Sequence, residues 1–364
     1  MTIPSPNPAD AGPPERTTSY ELIARRAGVS RSTVSRVLRN DPRISEATAR
    51  RVREAAQQLG YRPNPLLSNL MERIRAGRDI TYQGVIAVVT EAADAPRWYR
   101  PGSAWEGIHD GARQRAAERG YQLAYFSTRD FSPDGRRLSQ ILRTRGIHGV
   151  YVTPGFAARR VNLDWPAFSA ATTGHGLLDP ALHRVCYSNY HGIQLACRRL
   201  AALGYRRLGL YLEQRNDEVT DRHYVAGFLL HLEDVPPARR IHPCLVPQYT
   251  REDFLAWYRR HRPDAVISSA DAVVDWARAA GLRCPEDFGF VHLDCTAAQG
   301  EFAGIDHHGR LIGRAVVDLI IAQIHRGESG VPRHAMTTIV EGGWIDGPSV
   351  RPQGRAAPRV QRRA

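Results

Sequence analysis

From residue 84 onward, short unbroken apolar runs alternate with longer stretches whose apolar residues recur every three or four positions. The runs GVIAVV, GYQLAYF, GIHGVYV, RVCYSN, YRRLGLYL, PDAVISS, FGFVHL and AGID have strand length and no in-out alternation. That is the pattern of strands buried on both faces of a parallel sheet. Between them, AWEGIHDGARQRAAERG, DGRRLSQILRTRG, IQLACRRLAALG, REDFLAWYRRH, DAVVDWARAAG and RLIGRAVVDLIIAQIHRG carry helical spacing. Such alternation predicts an α/β region with helices covering both faces of its sheets. The phrases AAERGYQLAYF and LAALGYRRLGLYL each read as helix, glycine cap and strand, which predicts two subdomains of like construction.

The N-terminal part follows a different rule. Ser19 is placed to cap a short helix over YELIARRAG, with Leu22, Ile23 and Ala27 on one face and Gly28 ending it. Ser30 is a good N-cap for a helix over Arg31–Arg39. At about 100° per residue, Val34, Val37 and Leu38 fall in one half of that helix and Arg31, Ser32, Ser35, Arg36 and Arg39 in the other. A third helix, capped by Ser45, presents Ala49, Val52, Ala56 and Leu59 to the first two. Residues 1–16 are proline-rich with too little apolar content to fold, and are expected to be a disordered leader.

Charge divides the chain in the same way. Of the formal +13 over 364 residues, residues 16–78 hold 14 arginines against 5 acids, and residues 351–364 hold 5 arginines and no acid. Residues 79–350 are nearly neutral, with 31 arginines and 30 acids. A basic module joined to an ordinary globular one points to a polyanionic partner for the basic part. The 42% hydrophobic content can support two or three domains. No apolar run approaches the roughly 18 residues of a membrane span and the start lacks a secretory pattern, so no membrane partner and a cytoplasmic, nucleoid-associated location are expected. The 5 cysteines are widely spaced without a C-x-x-C pair, which favours reduced, mostly buried thiols over disulfides or zinc.

Other chemistry finds little support. Asp306, His307 and His308 in IDHHG have no second cluster at ligand spacing, so no metal is expected. His292 and Cys295 in HLDC come without a glycine pattern for an oxyanion site, and there is no P-loop or dinucleotide fingerprint. No catalytic residue and no cofactor are expected, and an enzyme on this α/β scaffold is disfavoured. Trp105 is read as a core residue rather than a sugar-stacking one.

Two short helices joined by a tight glycine turn, the second with arginines and hydroxyls on its free face, fit a helix-turn-helix entering the DNA major groove. Serines and threonines among arginines suit phosphate oxygens and base edges better than they suit mere solubility. The stretch ARRAGVSRSTVSRVLRNDPRISEATARRVREAAQQLGYRPNP closely resembles the signature of the lactose/galactose-repressor (LacI/GalR) family of bacterial transcription regulators. The resemblance implies recognition contacts from Arg31, Ser32, Ser35 and Arg36. It implies phosphate contact or support from Ser30, Thr33, Arg39, Arg43, Ser45, Thr48, Tyr61 and Asn64. RPNPLLSNLMERIRAGRD resembles the family's hinge helix, with Leu70 at the position of the leucine that wedges into the minor groove and Leu67 where alanine is usual. Leu22 stands where an aspartate is frequent.

The later segments resemble the family's two-lobed effector domain, itself similar to periplasmic sugar-binding proteins. DAVISSADAVVDWARAAGLRCPEDFGFVHLD and SNYHGIQLACRRLAALGYRRLG carry that likeness, with Ser188, His292 and Tyr224 at positions where aspartate, glycine and arginine are usual. The resemblance implies effector contacts from Asp271 and Asp294, with Arg222 two residues before the displaced arginine.

The expected order is a leader (1–16), a helix-turn-helix domain (17–62), a hinge helix and linker (63–79), a two-lobed effector-binding and dimerisation domain of parallel sheets (80–350), and a basic disordered tail (351–364). The expected activity is that of a homodimeric, sequence-specific repressor of a near-palindromic operator, switched by a small, sugar-like effector. A DNA-binding regulator whose ligand domain no longer gates is the alternative.

Overall fold

The computed structural model describes residues 19–37, 44–59, 83–99, 101–155, 157, 159–296 and 300–353. The chain divides into two units, Met1–Ile80 and Thr81–Ala364. The first contains helices α1 (Ser19–Ala27), α2 (Arg31–Val37) and α3 (Glu46–Gln58). Ile23, Val34 and Val52 meet at its centre with no exposure, and Ala24, Ala27, Val37, Ala49, Ala55 and Ala56 fill the space around them. The α1–α2 turn closes through bonds from the Val29 amide to the Ala24 carbonyl (3.0 Å) and from the Gly28 amide to the Arg25 carbonyl (3.4 Å). Gly28 holds φ +63° there, a left-handed conformation that glycine takes without strain.

Two residues assigned to this core lie outside it. Leu22 is 44% and Leu59 41% exposed. The buried stripe of α1 runs through Ile23, Ala24 and Ala27, and Leu22 projects from the opposite side. Leu59 is the residue after the last turn of α3, where Ala55 and Ala56 already close the core. The helix also begins at Ser19 itself rather than after it.

The second unit holds two six-stranded sheets. In lobe 1, β1 (Gly84–Thr90), β2 (Tyr121–Ser127), β3 (Gly149–Val152), β4 (Ser169–Thr173), β5 (His183–Tyr187) and β11 (Thr337–Val340) run in the order β11-β5-β4-β3-β1-β2, all parallel. Helices α4 (Ala104–Glu118) and α11 (Gly309–Arg326) cover one face and α5 (Arg136–Thr144) the other. In lobe 2, β6 (Leu208–Glu213), β7 (Cys244–Val246), β8 (Ala265–Ser268), β9 (Gly289–Cys295), β10 (Ala303–Asp306) and β12 (Gly343–Ile345) run in the order β12-β10-β9-β8-β6-β7. Only β12 pairs antiparallel. Helices α6 (Asn189–Leu203) and α8 (His223–Glu233) cover one face, with α9 (Arg251–His261) and α10 (Ala272–Ala279) on the other.

Successive strand residues feed opposite cores: Ile86 and Val88 pack under α4 and α11, while Ala87 and Val89 pack under α5. This is why the runs show no alternation. The chain crosses between lobes three times, at Ser188, at His307–His308 and at Glu341–Gly342. The Ser188 amide bonds the Val340 carbonyl (2.9 Å), which holds two crossings side by side.

The tail differs from its expected disorder over its first residues. The Gln353 amide bonds the Leu203 carbonyl (2.7 Å) and the Arg351 amide bonds the Tyr205 hydroxyl (3.2 Å), fastening residues 351–353 to lobe 2.

Candidate nucleic-acid interface and ligand cleft

In the head, helix starts organise the hydroxyl residues. Ser30 Oγ accepts from the Thr33 amide (3.1 Å) and lies 2.7 Å from Ser32 Oγ and 2.9 Å from Thr33 Oγ1. At the start of α3, Ser45 Oγ donates to Thr48 Oγ1 (2.9 Å) and accepts from the Thr48 amide (3.4 Å). Ser30, Thr33, Ser45 and Thr48 therefore form two capping networks at helix N-termini, where free amides and the helix dipole favour an anion.

Val34 and Val37 turn inward on α2, which leaves Arg31 and Ser32 exposed and Arg36 half-buried. Arg31 Nη1 reaches Glu21 Oε1 on α1 (3.3 Å), an exposed pair of small energetic weight that phosphate could replace. Ser35 lies on α2. Arg39, Arg43, Tyr61, Asn64, Leu67 and Leu70 lie outside the described residues, as do the leader and the hinge. Arg25, Arg26, Arg50, Arg51 and Arg53 add exposed positive charge on α1 and α3.

Between the lobes of the second unit lies a cavity of about 230 Å³. Trp105, His175 and Tyr187 line it from lobe 1, and Asn189, Arg215 and Asn216 from lobe 2. The lobes touch around it. Asp294 Oδ1, at the end of β9, accepts from the Ala104 amide at the start of α4 (3.2 Å). Ser103, at the α4 N-cap position, makes no side-chain cap bond, so a carboxylate from the opposite lobe serves one of the helix's open amides. Thr296 Oγ1 donates to the Gly102 carbonyl (3.4 Å), and the His175 and His223 rings meet edge-on at 5.0 Å.

The crossings form the cleft's base. Tyr187 stacks on His307 at 3.8 Å, and Tyr224 hydroxyl lies 3.3 Å from His307 Nε2. Burial pushes both tyrosine hydroxyls up and the imidazole down, so the group is uncharged near neutrality. Tyr224 thus supplies an uncharged contact where the family usually has arginine. The other two substituted positions also have local roles. Ser188 caps α6 by accepting from the His191 amide (3.2 Å), and His292 Nδ1 accepts from the Asp294 amide (3.1 Å), orienting that carboxylate.

None of the three residues expected to contact effector lines the cavity. Asp271 is exposed at the α10 N-cap, and Arg222 is exposed at the start of α8 in a left-handed conformation, φ +58°. Asp294 bridges the lobes instead. The cavity's arginine is Arg215, for which the sequence carried no signal, whereas Asn189 lay within the quoted SNY phrase. Trp105, read as a core residue, lines the cavity. It also packs, partly buried, against the lobe 1 core, because the α4 start lies between that core and the opposite lobe. Asp306 accepts from the His308 amide (2.7 Å), so IDHHG is a lobe crossing, and no metal cluster occurs among the described residues. Cys186, Cys197 and Cys295 are buried, Cys244 and Cys284 partly so, and all five are free.

His175 carries a testable pH dependence. Burial first, then repulsion from His223 and Arg184, outweighs the opposing pull of Asp221 and takes its pKa down to about 4. Between about 6.5 and 4 the unfolded chain binds a proton that the folded chain does not, so stability falls as pH drops through that window. His109, His231, His261 and His307 shift the same way and share the slope. His175→Gln is expected to flatten the melting temperature against pH between pH 6.5 and 4; superimposable curves would reject this.

Two family models match the chain. The one describing bacterial regulatory proteins of the lacI family covers residues 22–64, and the one describing a periplasmic binding protein-like domain covers residues 197–345. The HTH-type transcriptional regulator CelR of Thermobifida fusca is 26% identical over 339 residues, spanning 87% of this chain and 94% of that protein. Among solved structures, a CelR–cellobiose complex has a TM-score of 0.53 at 21% identity, covering 91% of this chain and 99% of that one. A lac repressor dimer bound to operator and the anti-inducer ONPF has a TM-score of 0.52 at 19% identity, covering 92% and 99%. At such identities these two structures show a shared fold.

Proposed function

Because the chain belongs to the LacI family of bacterial regulatory proteins, and so is a helix-turn-helix transcription regulator, we propose that it acts in the cytoplasm as a homodimeric repressor whose operator affinity is set by a small polyhydroxylated effector. One observation carries the reading: a head that turns arginines and hydroxyls to solvent is followed by two lobes that enclose a cavity and are joined by three crossings. CelR, a relative that spans nearly the whole chain, is known in complex with cellobiose, which supports a sugar-like effector here.

The head binds duplex DNA with α2 toward base edges and the α2 and α3 starts toward phosphates. Arg31 exchanges Glu21 for DNA. The effector acts through linkage. A ligand that prefers the lobes in the arrangement held by Asp294 and Ala104 shifts operator affinity by its differential affinity for the two arrangements, typically 1–3 kcal/mol. Two heads related by a twofold axis require a near-palindromic operator.

The test is selection of bound sites from random duplex DNA, followed by affinity for the winner against salt. The expected winner is palindromic, with log K falling against log salt at about −0.9 per phosphate neutralised. A winner without dyad symmetry would overturn the homodimeric reading, and the absence of any preferred sequence would overturn specific regulation.

A further inference from the structure

The cavity between the lobes differs chemically from a site built for a neutral sugar. Among the described residues no aspartate or glutamate lines it, although carboxylates are the side chains that accept from several sugar hydroxyls at once. Its one full positive charge is Arg215, which has no hydrogen bond or ion pair among the described residues. His175, the other basic side chain at the wall, stays neutral near pH 7. Lobe closure over a neutral ligand would strip water from an uncompensated guanidinium, whereas a ligand carboxylate would pair with it in bidentate fashion.

A second group lacks a partner. Asn189 is 2% exposed, lines the cavity and leaves its Oδ1 without a hydrogen bond. A buried acceptor of this kind is costly until a donor arrives, and a ligand hydroxyl is such a donor. Trp105 and Tyr187 add aromatic surface for the apolar face of a sugar ring. The volume of about 230 Å³ lies below the ~300–1,000 Å³ of pockets for drug-sized ligands, which limits the ligand to a single ring or its open-chain equivalent.

We propose that the effector is a monosaccharide-sized sugar acid, such as an aldonate or uronate, whose carboxylate binds Arg215 and whose hydroxyl donates to Asn189 Oδ1. The proposal rests on the reading of this cavity as the effector site. Arg215 is then the residue that selects acid over neutral sugar.

The experiment is calorimetric titration of the full-length protein with gluconate, glucuronate, galacturonate, glucose and cellobiose, repeated on Arg215→Ala and Asn189→Ala. At least one acid is expected to bind more tightly than glucose or cellobiose, and Arg215→Ala to weaken it by about 10- to 100-fold. Arg215 is exposed and without a partner among the described residues, so an unchanged melting temperature is expected for that variant and separates lost binding from lost fold. Tighter binding of glucose or cellobiose, or acid binding that survives Arg215→Ala, would overturn the proposal. So would binding of none of the five. The effector reading is decided separately, by whether a metabolite extract shifts affinity for the selected operator.

Discussion

Arg36→Ala is expected to weaken binding to the selected palindrome by about 1–3 kcal/mol, roughly 5- to 150-fold, while binding to random duplex falls much less. The expectation follows from the geometry of α2. Val34 and Val37 are 0% and 1% exposed against Ile23 and Val52, so α2 cannot rotate without breaking the head's core. That fixed rotation leaves Arg36 at the edge of the face carrying Arg31 and Ser32. An arginine there can bridge guanine O6 and N7, and its loss should relax preference at one base pair in each half-site. Paired titrations of wild type and variant on both duplexes measure the difference. An equal loss on the two would assign Arg36 to the phosphates.

Gly111→Ala is expected to destabilise the effector unit by about 1–3 kcal/mol or more, against the usual helical preference for alanine. Helices α4 and α11 cross with their backbones in contact. A Cβ at Gly111 would sit 2.1 Å from the Arg310 carbonyl oxygen, and one at Gly313 would sit 2.0 Å from the Ile108 carbonyl oxygen. Backbone cannot swing aside as a side chain can, so the helices must separate. Ile108, Ala112, Ile312 and Val316, buried at the same junction, would lose packing with them. Gly107, one turn earlier on α4, provides the control, because a Cβ there meets nothing closer than 3.4 Å. Gly107→Ala should be neutral or stabilising. Thermal or urea unfolding of the pair reads the difference, and equal stability of the two variants would refute the close-crossing account.

These expectations draw on different amounts of sequence information. The caps at Ser30 and Ser45, the glycine turn and the inward valines of the head were legible because each follows from spacing within one or two helical turns. The strands of the lobes were legible because burial on both faces leaves an unbroken apolar run, and most of their helices because one buried face returns every three or four residues. Segments without that pattern were missed: β4, whose sequence is SAATT, the edge strands β7, β11 and β12, and the helices α7 (Gln214–Val219) and α8. Polar, alanine-rich and short segments carry too weak a period to announce themselves, and α8, apolar around most of its circumference, lacks the polar face that would mark it as a helix.

The site was less legible than the fold. Asp294 was singled out, but its partner is an amide 190 positions earlier in the chain, and no local pattern links the two. Arg222 was named from its place near a family motif, and no local pattern singled out Arg215, the arginine that lines the cavity, because a motif does not report which side of a short helix faces the cleft. Leu22 was misplaced, and the cavity-facing side of Trp105 was not legible, for a related reason: apolar character predicts burial, but which neighbour a side chain meets depends on elements far away in sequence.

The sequence by itself determined the basic head with its capped helices, the parallel α/β character of the remainder and the family likeness that joins them, because these rest on local periodicity, charge and contiguous motifs. Only the tertiary structure decided that α11 and β11 return to lobe 1, that Asp294 caps a helix of the opposite lobe, and that Arg215 and Asn189 share a cavity with no acidic side chain among its described lining residues. Those are long-range pairings set by how whole elements pack, and packing is a property of the folded surfaces rather than of any stretch of chain.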